Sequence, residues 1–203
     1  MDNVIHWYPG HMAKTRRMIE DNLKLIDVVV EIIDARIPFS GRNKDFDDIL
    51  KNKPRLLVLN KADLADSSAT DEWVSYYAKN GIRVIPISCT TGAGINKVFS
   101  EARRLTQDRI DRDKEKGRTR TLKIMMAGIP NVGKSSLINR LIGKASTKTG
   151  DKAGVTKGKQ WVRIRGDVEL LDIPGMLPTK MEDQERAKLI AYTGAVKDEI
   201  MNT

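Results

Sequence analysis

Leu122-Lys123-Ile124-Met125-Met126-Ala127-Gly128-Ile129-Pro130-Asn131-Val132-Gly133-Lys134-Ser135-Ser136 joins an apolar run to the pattern G-x-x-x-x-G-K-S. The run reads as a buried strand and the residues from Lys134 onward as a helix, which is the setting in which this motif cradles phosphate. Phosphate oxygens need several N–H donors converging from a tight turn. Gly128 and Gly133 let the backbone come close, and the helix N-terminus adds partial positive charge. Lys134 is expected to reach the β- and γ-phosphates and Ser135 to ligate Mg²⁺, with Asn131, Val132, Gly133 and Ser136 completing the cradle. The flanking strand and helix disfavour the alternative of a chance match.

Two further stretches turn a generic phosphate loop into one for guanine nucleotides. In Val168-Glu169-Leu170-Leu171-Asp172-Ile173-Pro174-Gly175 an apolar strand delivers Asp172 toward the Mg²⁺ shell, expected through water, and Gly175 follows with an N–H for the γ-phosphate. In Arg55-Leu56-Leu57-Val58-Leu59-Asn60-Lys61-Ala62-Asp63 a strand ends in N-K-x-D. The Asp63 carboxylate suits the paired N1–H and N2–H₂ donors of guanine, which adenine lacks, so the pattern selects GTP over ATP. The bland alternative is an ordinary surface turn after a strand. Ser88-Cys89-Thr90, after the strand-like Arg83 to Ile87, suits a second base-contacting loop through a backbone N–H to guanine O6. Thr156, in Gly154-Val155-Thr156-Lys157-Gly158, is the choice for the mobile Mg²⁺ ligand, with Thr147 and Thr149 as rivals.

Along the chain the order is base motif, second base loop, phosphate loop, switch threonine, D-x-x-G. In ordinary small GTPases the last three come first. A permuted chain still folds if the original ends lie close together and a new segment joins them. That join is expected to be a helix from about Asn96 through the charged stretch Gln107 to Arg120, where Asp111 to Lys116 reads as a solvated helix end and linker into the phosphate-loop strand. This motif order, with His6-Trp7-Tyr8-Pro9-Gly10-His11-Met12-Ala13-Lys14 near the start and Glu182-Asp183-Gln184-Glu185 after the second switch, resembles the circularly permuted GTPases of large-subunit ribosome assembly, the RbgA/YlqF type. The resemblance runs from about residue 4 to residue 200. It implies a three-layer phosphate-loop GTPase fold and GTP/GDP with Mg²⁺ as ligands. It implies a large ribosomal subunit precursor and its rRNA as partners, and a C-terminal helical RNA-binding domain of which 179–203 would be the start.

Composition agrees. The chain carries a net charge of +9, 40% hydrophobic residues and one cysteine, Cys89. That suffices for one α/β core and excludes an internal disulfide framework or a multi-cysteine zinc site. No apolar run is long enough to cross a membrane and no leader pattern opens the chain, so the expected compartment is the cytoplasm, or an organelle matrix, and the expected state a monomer. From Lys144 to Arg165 seven basic residues face one acid, Asp151. A basic first switch would make RNA affinity depend on the γ-phosphate; the alternative is a solvated loop. From Arg103 to Lys123 nine basic residues are intermixed with four acids, which favours a solvated surface.

Where ordinary small GTPases place a water-orienting Gln after the D-x-x-G glycine, this chain has Met176, and a thioether cannot donate a hydrogen bond to water. The resemblance points to His11 as the replacement; the alternative is that His11 caps or packs the helix starting near Met12. By the same resemblance Asn131 holds a K⁺ ion against the phosphates, the alternative being a neutral loop residue.

The pattern as a whole predicts an α/β fold with a six-stranded, mostly parallel sheet between helices, in the spatial order 160s, 168s, 122s, 28s, 55s, 83s, and a hairpin around Gly166-Asp167. Trp73, Tyr76 and Tyr77 are expected on one packed helix face, and Arg36, after the strand Asp27 to Asp34, on the surface, the alternative being an approach to the switches. Residues 1–26 read as an N-terminal segment and helix packed on the GTPase domain, 27–178 as that permuted domain, and 179–203 as a switch-linked helix. The expected function is a GTP hydrolase that binds pre-ribosomal particles in its GTP form and leaves after hydrolysis, slow alone and stimulated by the particle. The alternative is a nucleotide-gated RNA-binding scaffold with vestigial hydrolysis.

Overall fold

The computed structural model describes residues 9–50, 53–143, 159–164, 167–178 and 183–195. Seven helices of five residues or more are found there: α1 (Pro9–Asn22), α2 (Asp45–Ile49), α3 (Ser67–Lys79), α4 (Lys97–Leu105), α5 (Gln107–Glu115), α6 (Lys134–Gly143) and α7 (Gln184–Tyr192). Helix α1 opens on a proline, whose fixed φ suits the first helical position. Asp66 and Asp183 cap α3 and α7, accepting from the Ala69 N–H at 2.8 Å and the Arg186 N–H at 3.1 Å.

Six strands, β1 (Val28–Asp34), β2 (Arg55–Asn60), β3 (Arg83–Pro86), β4 (Leu122–Gly128), β5 (Gln160–Ile164) and β6 (Val168–Asp172), form one sheet in the order β3-β2-β1-β4-β6-β5. All neighbours are parallel except β5 and β6, which pair antiparallel. The predicted spatial order is therefore the observed one. A parallel sheet needs cover on both faces, and the two-residue period of the strands supplies it. Val28, Val30 and Ile32 of β1 join Ile124, Met126 and Leu170 under α4, α6 and α7. Val29 with Met125 and Leu171 meets Ile19 of α1 and Phe46 of α2, while Ile33, Leu57 and Leu59 meet Tyr77 of α3. Each such aliphatic side chain contributes about 1.5–3 kcal/mol when fully buried.

One residue breaks the apolar pattern of β1. Glu31 is 1% exposed, and burial raises its pKa against the opposing pull of Arg42 and Arg55. Arg55 donates to it at 3.1 Å, while Arg42 Nε stays 3.8 Å away.

One expectation needs correction. The joining segment is not one helix: α4 and α5 are separated at Thr106, whose buried hydroxyl donates to the carbonyls of Ala102 and Arg103 and so ends the first helix locally. The three aromatic residues of α3 do share one helix face, but to unequal depth. Tyr77 is buried and donates its hydroxyl to the Pro38 carbonyl, whereas Tyr76 is exposed and Trp73 is half-buried against Phe39. Residues 73, 76 and 77 stand at i, i+3 and i+4, and their three rings touch, with Tyr76 at the solvent edge of the face.

The charges of the joining segment prove largely structural. Arg109 and Arg120 converge on the buried Asp27, and Arg103 pairs with Asp167, tying α4, α5 and the following loop to the starts of β1, β4 and β6. They border a cavity of about 440 Å³ at that end of the sheet. Among the described residues no helix is long and apolar enough to cross a membrane.

Candidate functional site

The motif residues gather at the opposite end, where Asp34, Asn60, Gly128 and Asp172 end β1, β2, β4 and β6. Successive strands run outward in one direction from β1 and in the other from β4. The crevice between them is the topological switch point at which open α/β sheets bind ligands.

Asn60 is the hub. Buried at the end of β2, it donates from Nδ2 to the Val132 carbonyl at 2.8 Å and accepts at Oδ1 from the Cys89 N–H at 3.1 Å. One carboxamide thus joins the base motif, the phosphate loop and the second base loop. The fit is close: Gly133 has φ +92°, and a Cβ there would fall 2.2 Å from Asn60 Nδ2. Lys61, itself left-handed at φ 62°, donates from Nζ to the Asn131 carbonyl at 3.0 Å. Ala62 N–H is held by the Ile87 carbonyl at 3.0 Å, and Asp63 follows in a short 3₁₀ turn with its side chain exposed.

Within the second base loop, Ser88 accepts from the Thr91 N–H at its hydroxyl and donates its own N–H to Ala93. Since the Cys89 N–H serves Asn60, a base carbonyl would have to share that donor or use Thr90. Burial pushes the Cys89 thiol up to about 11, against the pull of Arg140 and the Asn60 contact, so it is an inert, packed group.

The phosphate-side residues also converge. Lys134 is buried and its Nζ lies 2.8 Å from Asp172 Oδ1. The D-x-x-G segment rests on the phosphate loop: Met176 N–H donates to the Gly128 carbonyl at 3.1 Å, and a Cβ on Gly175 would lie 2.7 Å from Pro130 N. Ser135 is half-buried and Ser136 exposed on the first turn of α6. Ser135 and Asp172 offer the hard oxygen donors that Mg²⁺ takes. Among the described residues no group of three or more His, Cys, Asp or Glu side chains could hold a metal ion. Asn131, left-handed at φ 59°, directs Nδ2 to the Gly194 carbonyl just after α7.

Met176 points inward, 2% exposed among Met125, Leu171 and Ile173, so its side chain faces the core rather than the crevice. Of the remaining expectations, His11 falls in the first turn of α1, but its side chain lies outside the described residues, as do Thr156, Thr147, Thr149, His6 and most of the basic run 144–165. Lys159 and Arg163, from the end of that run, are exposed.

Sequence reasoning missed three contacts. Asp34, fully buried, pairs with Lys61 Nζ at 2.9 Å and receives a two-pronged bond from Arg36. Burial pushes the Asp34 carboxyl up, and the bonds from Arg36 and Lys61 more than reverse this, holding it below the ordinary range. Asn43 donates to the Met176 carbonyl at 2.8 Å. Arg186 of α7 donates to the carbonyls of Ser40 and Arg42, fastening the C-terminal helix beside the loop after β1. The charged residue closing an apolar strand was the available signal for Asp34; the other two contacts have none.

A family model described as 50S ribosome-binding GTPase matches residues 123–200. Ribosome biogenesis GTPase A of Bacillus licheniformis is 50% identical over 200 residues, covering 98% of this chain and 71% of that protein. Mitochondrial ribosome-associated GTPase 1 of Ictalurus punctatus is 38% identical over 210 residues, covering 98% and 65%. Among solved structures, GNP-bound YlqF from T. maritima superposes with a TM-score of 0.67 at 30% identity, covering 94% of this chain and 70% of that one.

Proposed function

The chain belongs to the Ribosome biogenesis GTPase A family, and on that premise we propose a GTP hydrolase that works as a nucleotide-switched assembly factor of the large ribosomal subunit. It binds the precursor particle and its rRNA in the GTP form and leaves after hydrolysis, as a monomer in the cytoplasm or an organelle matrix. The observation that carries this reading is the Asn60 side chain, which bonds the phosphate loop and the second base loop at once.

Asp63 accepts the guanine N1–H and N2–H₂ pair, and Cys89 or Thr90 donates to O6. Lys134 exchanges Asp172 for the β- and γ-phosphates, and the N–H groups of Val132, Gly133, Ser135 and Ser136 surround the phosphate oxygens. Ser135 and Thr156 from the first switch, with Asp172 through water, would hold Mg²⁺, which when bound would offset charge on the transferring phosphoryl group. Gly175 offers its N–H to the γ-phosphate. Residues 27–178 act as the catalytic unit, with 1–26 packed on it and 179–203 reading out the second switch.

With Met176 turned into the core, the attacking water needs another partner, and we assign His11 to that role. Substituting His11→Ala should lower particle-stimulated hydrolysis far more than GTP binding. Asn131 would give up Gly194 to hold K⁺ against the phosphates; equal hydrolysis in K⁺ and Na⁺ would remove K⁺ from the account.

Intrinsic turnover is then slow, on the order of 10⁻⁴ to 10⁻² s⁻¹. The deciding experiment measures GTP hydrolysis with and without large ribosomal subunits, alongside co-sedimentation in GTP-analogue and GDP states. Stimulation and analogue-dependent capture support the proposal; fast turnover alone, or no capture, counts against it. The buried Met176 also suits a scaffold with vestigial hydrolysis. A non-hydrolysable analogue separates the two, trapping the enzyme on particles while leaving the scaffold's release unchanged.

A further inference from the structure

Asp34 has no place in the motifs, yet it sits among them. It is the last residue of β1, is fully buried, and lies opposite Asn60 in the sheet register. Its Oδ2 is 2.9 Å from Lys61 Nζ, and the same Nζ donates to the Asn131 carbonyl at 3.0 Å. On its other side Arg36 closes the carboxylate with Nε at 2.9 Å, a terminal nitrogen at 2.7 Å and its backbone N–H at 3.1 Å. Lys61 and Asn131 are the two non-glycine residues with positive φ among the described residues, and the lysine contacts the asparagine backbone directly. Such conformations persist only where surrounding contacts over-determine them, and they cluster at functional sites.

A carboxylate beside a triphosphate site would repel its ligand were it not outnumbered by cations. Asp34 brings two, Lys61 and Arg36, so the cluster is net positive. What the carboxylate adds is order: Lys61 is long and flexible, and a buried anion selects one of its many rotamers before a ligand arrives.

We propose that Asp34 is a positioning residue of the nucleotide site, holding Lys61 across the crevice so that the base-reading turn 60–63 and the phosphate loop 128–135 stay in register. This inference rests on the reading that these loops take a guanine nucleotide. Asp34 acts through Lys61 and touches no nucleotide atom.

The experiment is a double-mutant cycle on the whole chain, with Kd read from GDP carrying a fluorescent reporter on its ribose and folding checked by thermal melting. D34N and K61M should each weaken GDP binding about tenfold, and D34N/K61M should be no weaker than the worse single variant, because the two residues act as one. GTP-over-ATP preference should survive D34N, since Asp63 reads the base. Were Asp34 merely structural, the two affinity losses would be independent and multiply to about a hundredfold, and that outcome overturns the proposal. Should D34N fail to fold, K61M alone still decides: unchanged GDP affinity there overturns it. If the unaltered protein binds neither GDP nor GTP, the functional reading fails instead.

Discussion

Lys134 Nζ stands 2.8 Å from Asp172 Oδ1, so the cation of the phosphate loop and the carboxylate of the D-x-x-G segment, 38 residues apart, neutralise one another in the crevice. Both side chains are almost wholly buried. A buried charge without a partner is costly, and a pair that loses one member is strongly destabilised. Entering phosphate must therefore compete with Asp172 for Lys134 and needs a second cation to compensate the carboxylate it displaces. Under the proposed function, magnesium would then take a role in binding as well as in chemistry.

The substitution Asp172→Asn should consequently change sign with the metal. In EDTA the variant is expected to bind GDP at least as tightly as the unaltered protein, because no carboxylate claims Lys134 or repels phosphate. With Mg²⁺ its GTP hydrolysis should fall by about 10². Fluorescence titration in EDTA and a phosphate-release assay in Mg²⁺ check the two halves; weaker GDP binding in EDTA would contradict the competition.

Gly133→Ala is expected to damage the base motif through the phosphate loop. Its Cβ would meet Asn60 Nδ2 at 2.2 Å, and the residue has φ +92°. Strain of this kind costs on the order of 1–3 kcal/mol, and Asn60 must swing away from Val132 and Cys89. Thermal melting should show the destabilisation and GDP titration a loss of affinity; a variant melting with the unaltered protein would refute the close approach.

Asp34 should leave a signature at acid pH. Its carboxyl titrates below its ordinary value of 3.8 in the folded chain, burial being outweighed by the bonds from Arg36 and Lys61. A depressed carboxyl contributes stability that is complete above the unfolded value and is lost as pH falls through the folded one. The gap in melting temperature between the unaltered protein and Asp34→Asn should hold steady from pH 7 to about 5 and close below about 4. A gap that widened on acidification would reverse the assignment.

Cys89, the single cysteine, should resist alkylation. With its thiol pushed up to about 11 from 9.0 by burial, its thiolate at pH 8 should be roughly a hundredfold scarcer than that of a free thiol. Iodoacetamide labelling followed by mass spectrometry should be slow in the native protein and fast in denaturant. Rapid native labelling would show that the loop opens.

Much of this architecture is legible in the chain alone. Asp27 to Asp34 reads as a buried parallel strand from its β-branched run, and Leu122 to Ala127 as a buried strand from its apolar run, close to the observed β1 and β4; the 160s and 168s read as a hairpin because no helix separates them. Where the reading failed, a local pattern was overridden by something distant or specific. Thr106 spends its hydroxyl on the preceding turn and divides the joining helix. Glu31, by contrast, leaves the strand reading intact, because Arg42 and Arg55 reach it from elsewhere in the chain.

For the site the division has the same cause. Spacing within short motifs determines which groups one turn presents together, since a turn after a strand presents its own residues whatever the rest of the chain does. Thus Asn60, Lys61, Asp63, Gly133, Lys134 and Asp172, and the permuted order that names the family, were available from sequence. Strand order and register alone decided that Asn60 bonds Val132, that Asp34 holds Lys61, that Lys134 waits on Asp172, and that Met176 faces the core. Those contacts join residues far apart in the chain, and no periodicity within one segment encodes which strand ends will lie side by side.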